Sequence, residues 1–207
     1  MKNQHDICIW KDTEECNNCS MKSTLICHFH RKYLFSFIGL FLVFAITACI
    51  GVILAGYSWF LLGWIGFWLF FFEFWEIRIL CSHCPFYAEE GKVLHCIANY
   101  SSFKLWRYHP EPMNLSEKIQ LMIGFIILMG YPLTFLMLSS QFVFLIISII
   151  EIFIFISFLI AKRCGNCVNL SCPLNRVKKD VVDSFLKKNP AMRKAWEKAG
   201  YNIEERE

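Results

Sequence analysis

Four long runs of apolar residues dominate the chain, and polar segments separate them into two pairs. The runs cover residues 33–55, 59–75, 119–138 and 142–161, close to the roughly 20 residues that cross a bilayer as a helix. The pattern therefore predicts an all-α membrane protein, an antiparallel bundle of four transmembrane helices. Composition agrees, because 56% of the 207 residues are hydrophobic and only 18% are charged, whereas soluble domains carry about 25% charged residues.

The basic residues predict how the spans are oriented. Of the 21 Lys and Arg residues, five lie in residues 1–32, five in 73–118 and eleven in 162–207. The short links inside each pair of spans contain none, so the positive-inside rule places both termini and the central loop in the cytoplasm. The predicted organisation is a cytoplasmic segment 1–32, a transmembrane hairpin 33–80, a cytoplasmic loop 81–118, a second hairpin 119–161 and a cytoplasmic tail 162–207.

Helix-capping signals occur in the polar segments. Asn114 followed by Glu117 has the spacing of a capping box at the start of the third span. In the tail, Asp180 is the predicted cap of a short amphipathic helix, and Asn189-Pro190 should stop it and start a second one. The apolar faces of these two helices must be covered by the cytoplasmic segments, the membrane surface or a partner protein.

Cysteines carry the strongest chemical signal. The chain contains eleven, and ten of them lie in the three polar segments; the exception, Cys49, lies in the first span. Nine form three groups on one plan, a C-x-x-C followed by a third thiol five to twelve residues later, and each group adjoins a span. The groups are Cys16, Cys19 and Cys27; Cys81, Cys84 and Cys96; and Cys164, Cys167 and Cys172.

This spacing is typical of thiolate metal sites. A C-x-x-C turn directs two sulfurs to one centre, and a third Cys with a His or another Cys completes a tetrahedral set. The expected fourth ligands are His28 for the first group and His95 (or His83) for the second, while Cys8 could serve the third. Sulfur and imidazole donors predict zinc, with a 4Fe-4S cluster as the alternative, and exclude calcium and magnesium.

The spans contain one deep charge and no histidine. Glu151 lies near the middle of the fourth span, where a carboxylate is costly and is often functional, although a hydrogen bond to a neighbouring helix, near Ser148 or Thr134, would also explain it. Glu73 and Glu76, at the end of the second span, are predicted to pair with Arg78. The absence of histidine excludes a bis-histidine haem within the bundle.

Three functions fit this pattern. The first is a membrane scaffold or accessory subunit, in which metals replace a hydrophobic core in segments too small to fold alone. The alternatives are an iron–sulfur redox module that passes electrons to a partner or a quinone, and a metal-ion transporter that uses Glu151. No catalytic motif favours an enzyme. The expected partners are the lipid bilayer and a membrane or cytoplasmic protein, and no nucleic acid is expected.

Overall fold

The computed structural model describes residues 6–10, 19–96 and 99–204, and in this part of the chain it is mainly helical. Cys16, a predicted metal ligand, lies outside the described residues. Four helical segments are long and apolar enough to cross a membrane, in agreement with the sequence pattern: Arg31–Leu54, Phe60–His83, Leu115–Leu138 and Phe142–Cys164. Each covers nearly all of a predicted apolar run and extends beyond it at one end, where polar residues complete the helix.

The first and third spans are single helices, α1 (Arg31–Leu54) and α4 (Leu115–Leu138). The second is composite: α2 (Phe60–Phe70) continues through a π-helical turn (Phe71–Trp75) into α3 (Glu76–Ile79). The fourth, α5 (Phe142–Leu159), ends in another π-helical turn, Ile160–Cys164. Such turns are common at functional sites. One short helix separates the first turn from Cys81, and the second turn ends at Cys164.

The capping box predicted at the start of the third span is confirmed. The Asn114 side chain accepts a hydrogen bond from the Glu117 backbone N–H, and the Glu117 carboxylate accepts one from the Asn114 backbone N–H. Both bonds are 2.9 Å long. They satisfy two backbone groups that would otherwise be unpaired at the helix end.

The four spans pack against one another. Helix α1 contacts α4 and α5, and α4 also contacts α2 and α5. Buried polar groups find partners between helices, since the Trp64 indole N–H donates to the Leu128 carbonyl at 2.8 Å. Much of the outer surface is apolar, and Phe153 and Ile126 are 71% and 66% exposed. A surface of this kind suits contact with lipid.

A close approach between α4 and the second span depends on Gly124. A Cβ atom added there would overlap the ring of Phe71, which is fully buried. We expect Gly124→Ala to lower the thermal stability of the purified protein by about 1–3 kcal/mol, the usual cost of overpacking. Gly130→Ala on the same helix is the matched control, because its Cβ would meet nothing within 4 Å. Equal melting temperatures of the two variants would contradict this packing.

The polar segments fold together into one cap at one end of the spans, formed by residues 6–10, 19–30, 84–96, 99–113 and 165–204. It contains a short antiparallel hairpin, β1 (Val93–His95) and β2 (Tyr100–Phe103), and two helices, α6 (Lys179–Lys187) and α7 (Pro190–Lys198). Side chains from all its segments form a hydrophobic core, which includes Ile7, Phe86, Leu94, Phe185, Leu186 and Trp196. The expectation that metals replace a hydrophobic core is therefore wrong: the cap has one.

The tail helices follow the sequence prediction in part. They lie as expected on either side of Asn189-Pro190, and their apolar faces are covered by the cap. The predicted cap residue of the first helix is wrong. The N-cap of α6 is Lys178, which makes no side-chain capping bond, and Asp180 lies within the first turn, where its charge favours the helix dipole.

Candidate metal centre

Six cysteines from three segments of the chain gather where the cap meets the second and fourth spans. We call them the inner thiol cluster: Cys81, Cys84, Cys96, Cys164, Cys167 and Cys172. They comprise the whole of the second and third sequence groups. No disulfide joins any of the cysteines that the structure describes.

A tight turn presents the first pair. Cys81–His83 forms a 3-10 helix directly after α3, and the Cys84 N–H donates to the Cys81 carbonyl at 2.9 Å. Both side chains are buried. Cys96, which follows β1, shares a side-chain hydrogen bond with Cys84, so the hairpin returns the third thiol of the group to the first two.

The third group is held by an asparagine-rich loop. Asn175 donates from its side-chain amide to the Cys167 carbonyl at 2.9 Å, and the Arg176 N–H donates to the Cys164 carbonyl at 2.9 Å. The Cys167 thiol interacts electrostatically with those of Cys172, Cys96 and Cys164. This connects the third group with the second, so the two groups share one region of the cap.

Burial controls the protonation of these thiols. It raises the pKa of Cys84 well above its ordinary value, and the neighbouring Cys96 and Cys167 thiols raise it further. Burial also raises the pKa of Cys167, and that of Cys172 to about 11. Without a cation these three thiols are therefore neutral at pH 7, and a metal would have to displace their protons.

Glu76 borders the cluster and has a different role from the one predicted. Its carboxylate is buried and accepts hydrogen bonds from the Cys81 thiol at 3.4 Å and the Asn99 amide at 2.9 Å. The predicted ion pair with Arg78 is wrong, because Arg78 turns toward Glu117, with 3.7 Å between guanidinium and carboxylate. The sequence placed Glu76 correctly at the end of the second span, but nothing in it indicated that Asn99 would donate a hydrogen bond to Glu76.

The thiols do not form a closed ligand set. Among the described residues, no group of three or more Cys, His, Asp or Glu side chains is arranged so that it could hold a metal ion. The backbone brings the thiols to one region, and their side chains make hydrogen bonds and electrostatic contacts in pairs. Closing a tetrahedral site here would need side-chain rotations.

The first group lines a cavity and also adjoins the third group. Cys19, Cys27 and His28 line a cavity of about 610 Å³ between the cap and the ends of the first and fourth spans. The backbone next to Cys27 pairs with Cys167 in a parallel β-bridge through Ile26. Cys8 lines the same cavity as the first group. Asn189 holds it there, accepting from the Cys8 N–H at 2.6 Å and donating to its sulfur at 3.3 Å.

Cys19 differs electrostatically from the buried thiols. The Lys188 ammonium donates to its sulfur at 3.3 Å. Although partial burial acts to raise it, hydrogen bonds from the Met21 backbone and from Lys188 lower the pKa of Cys19 on balance. This thiol gains thiolate character that the inner cluster lacks.

The other candidate histidines already have partners. His95 Nδ1 is 2.9 Å from a carboxylate oxygen of Glu89. His83 is buried, with Nδ1 2.7 Å from the Glu111 carbonyl and Nε2 3.4 Å from the Glu117 carboxylate. A carboxylate at one ring nitrogen is the usual partner of a metal-ligating histidine, so His95 stays a predicted fourth ligand through Nε2. His83 Nε2 makes no hydrogen bond to the described residues.

Glu151 has a hydrogen-bond partner on another span. The Thr47 hydroxyl on α1 donates to Glu151 Oε1 at 2.9 Å. The predicted hydrogen bond to a neighbouring helix is confirmed, but the partner differs from the two suggested: Thr134 donates to the Tyr131 carbonyl, and the buried Ser148 hydroxyl makes no hydrogen bond to the described residues. Glu151 Oε2 is likewise buried without such a partner.

The contact between Thr47 and Glu151 is testable by a double-mutant cycle. We expect Thr47→Val and Glu151→Leu to be coupled by roughly 0.6 kcal/mol, the average for such bonds between transmembrane helices. Thermal unfolding of the single and double variants in detergent measures this coupling. Glu151→Gln serves as the control, because its amide oxygen can still accept from Thr47. Strictly additive effects would show that the bond does not join the helices.

We compared the chain with protein-family models, with curated proteins and with solved structures, and none of the three comparisons found a match. The proposed function therefore depends on the geometry alone.

Proposed function

We propose that this chain is an integral membrane protein whose cap binds a metal ion, zinc in the first instance, through thiolates of the inner thiol cluster. The four spans form an antiparallel bundle, and the cap lies on its cytoplasmic side. The metal cross-links the central loop to the segment after the fourth span. The protein thereby serves as a metal-stabilised membrane scaffold or accessory subunit.

One observation carries the proposal: the second and third cysteine groups meet in one buried region. The hydrogen bond between Cys84 and Cys96 and the electrostatic interaction between Cys96 and Cys167 join segments that are far apart in sequence. Buried unpaired thiols do not require this convergence, whereas a tetrahedral thiolate site does. In a reducing compartment such thiols bind metals more often than they form disulfides.

The arrangement of the polar segments supports the orientation. All three contribute to the same cap, as they must if four spans connect them and the cap lies on one side of a bilayer. All 21 Lys and Arg residues of the chain lie in these segments or at the adjoining ends of the spans. The positive-inside rule makes this the cytoplasmic side.

Elemental analysis of the anaerobically purified full-length protein tests the proposal. We expect at least one metal ion per chain after gel filtration in a chelator-free buffer. A colourless sample with bound zinc supports the scaffold. A brown sample with iron and sulfide supports metal binding by the same thiols but replaces zinc with an iron–sulfur cluster. A folded sample that is free of metal overturns the proposal.

Proton release provides a second test. Because burial raises the pKa values of Cys84, Cys167 and Cys172, each gives up a proton on forming a thiolate–metal bond at pH 7. We expect about four protons released for each zinc ion added to metal-free protein. A pH indicator in weakly buffered solution measures this number. Affinity should accordingly rise with pH, since fewer protons need to be displaced. Zinc uptake without proton release would exclude these thiols as ligands.

A further inference from the structure

The cavity beside the first cysteine group is strongly basic. Its lining includes Lys22, Lys162, Arg163 and Lys188, together with two histidines, His28 and His30. None of the described residues that line it is acidic. A concave site with several cations attracts anions, because their fields add within the cavity.

Arg163 lines the cavity and has one side-chain donor that no described residue satisfies. Its guanidinium lies over the Tyr33 ring, 4.3 Å from the centroid, and its Nη2 donates to the Ser36 hydroxyl at 2.7 Å. Its Nε is buried and makes no hydrogen bond to any described residue. A buried donor without an acceptor costs free energy, so an acceptor brought by a ligand would be favoured.

The cavity lies at the depth expected for lipid headgroups. Tyr33 is in the first turn of α1, and Lys162 and Arg163 end the fourth span. If these helices cross a bilayer as proposed, the cavity faces the headgroup layer of the cytoplasmic leaflet. Anionic lipids concentrate there and attract clustered Lys and Arg residues.

We propose that this cavity binds a phosphate group. Arg163 Nε donates a charge-assisted hydrogen bond to a phosphate oxygen, and the Lys162 and Lys188 ammonium groups neutralise its charge. The shared chemistry has two sources, the headgroup of an anionic phospholipid and free inorganic phosphate. The inference rests on the membrane placement in the proposed function but not on its metal.

Lipid binding to the purified full-length protein tests this assignment. Native mass spectrometry in a neutral detergent would measure the binding of phosphatidylglycerol and of phosphatidylcholine, with inorganic phosphate as competitor. We expect phosphatidylglycerol to bind about tenfold more weakly to Arg163→Gln than to the wild type, the effect of losing one charge-assisted hydrogen bond. Lys198→Gln, an exposed charge change on α7 away from the cavity, should bind like the wild type.

The competition separates the two sources. Phosphatidylglycerol that inorganic phosphate does not displace identifies a lipid headgroup site. Displacement by inorganic phosphate, with the same dependence on Arg163, identifies a free phosphate site. Lys162→Gln is a second test in case the Arg163 variant misfolds. Lys162 is exposed, so its replacement should weaken binding without disturbing the fold. The proposal is overturned if the wild type binds neither ligand, or if the variants of Arg163 and Lys162 bind as tightly as Lys198→Gln.

Metal content measured on the same samples keeps the two proposals distinct. Metal-free protein that still binds phosphate through Arg163 would refute the metal centre and support the cavity. Metal-loaded protein that binds neither phosphate ligand would refute the cavity and support the metal centre.

Discussion

Replacing Cys84 and Cys167 together with alanine is expected to abolish stoichiometric metal binding. The two thiols belong to different sequence groups and are connected through Cys96. Structural zinc sites contribute on the order of 10 kcal/mol of binding free energy that is linked to folding. Losing two thiolates from a four-ligand set should remove most of it, and elemental analysis of the purified variant would show the metal content fall to near zero.

The control for this double variant is Cys49→Ala. Cys49 lies in α1 and is remote from the inner thiol cluster, so its removal should leave the metal content unchanged. Circular dichroism checks that the spans remain helical, which separates loss of ligands from failure to fold. A folded double variant that keeps its full metal content would exclude both thiols as ligands.

The second large effect concerns the tail. Phe185→Ala is expected to destabilise the cap by about 3–5 kcal/mol, the usual cost of deleting a fully buried phenyl ring. The Phe185 side chain is 0% exposed within the core formed by the first, second and third polar segments. Hydrogen exchange should increase throughout the cap, including the cysteine loops, while exchange in the spans stays slow.

Phe103→Ala provides the matched control for the tail variant. It makes the same change in side chain on β2, but Phe103 is 66% exposed and its deletion leaves no internal cavity. Slow exchange in the cap of the Phe185 variant, equal to that of the Phe103 variant, would show that the tail does not hold the cap together.

Much of the fold could be predicted from the sequence because its signals are local. Runs of apolar residues mark the four spans, and residues three apart mark the capping box at Asn114 and Glu117. The stop at Asn189-Pro190 is local as well. The wrong prediction of Asp180 as the N-cap also has a local cause, because an acidic residue near a helix N-terminus can occupy either the N-cap or the first turn.

The division of the thiols could not be predicted, because it depends on tertiary contacts. By spacing alone, nine of the cysteines form three equivalent groups. In the structure, the second and third groups meet, whereas Cys19 and Cys27 line a cavity with Cys8. That location of Cys8 depends on Asn189, a residue 181 positions away whose sequence signal concerned only a helix boundary.

The polar partners show the same limit of sequence reasoning. Charge spacing predicted an ion pair between Glu76 and Arg78. In the structure, the Glu76 carboxylate is buried at the cap boundary and accepts hydrogen bonds from Asn99 and the Cys81 thiol. Glu151 bonds to Thr47 on another span, which no pattern within a single helix could indicate.

X-ray absorption spectroscopy of the purified protein can show whether the inner thiol cluster binds the metal, because it reports the atoms bonded to the ion. For bound zinc, we expect the ligand atoms to be sulfurs at about 2.3 Å, the usual length of a zinc–thiolate bond. A first shell of oxygen and nitrogen atoms at about 2.0–2.1 Å would contradict this expectation, because it would place the ion away from the inner thiol cluster.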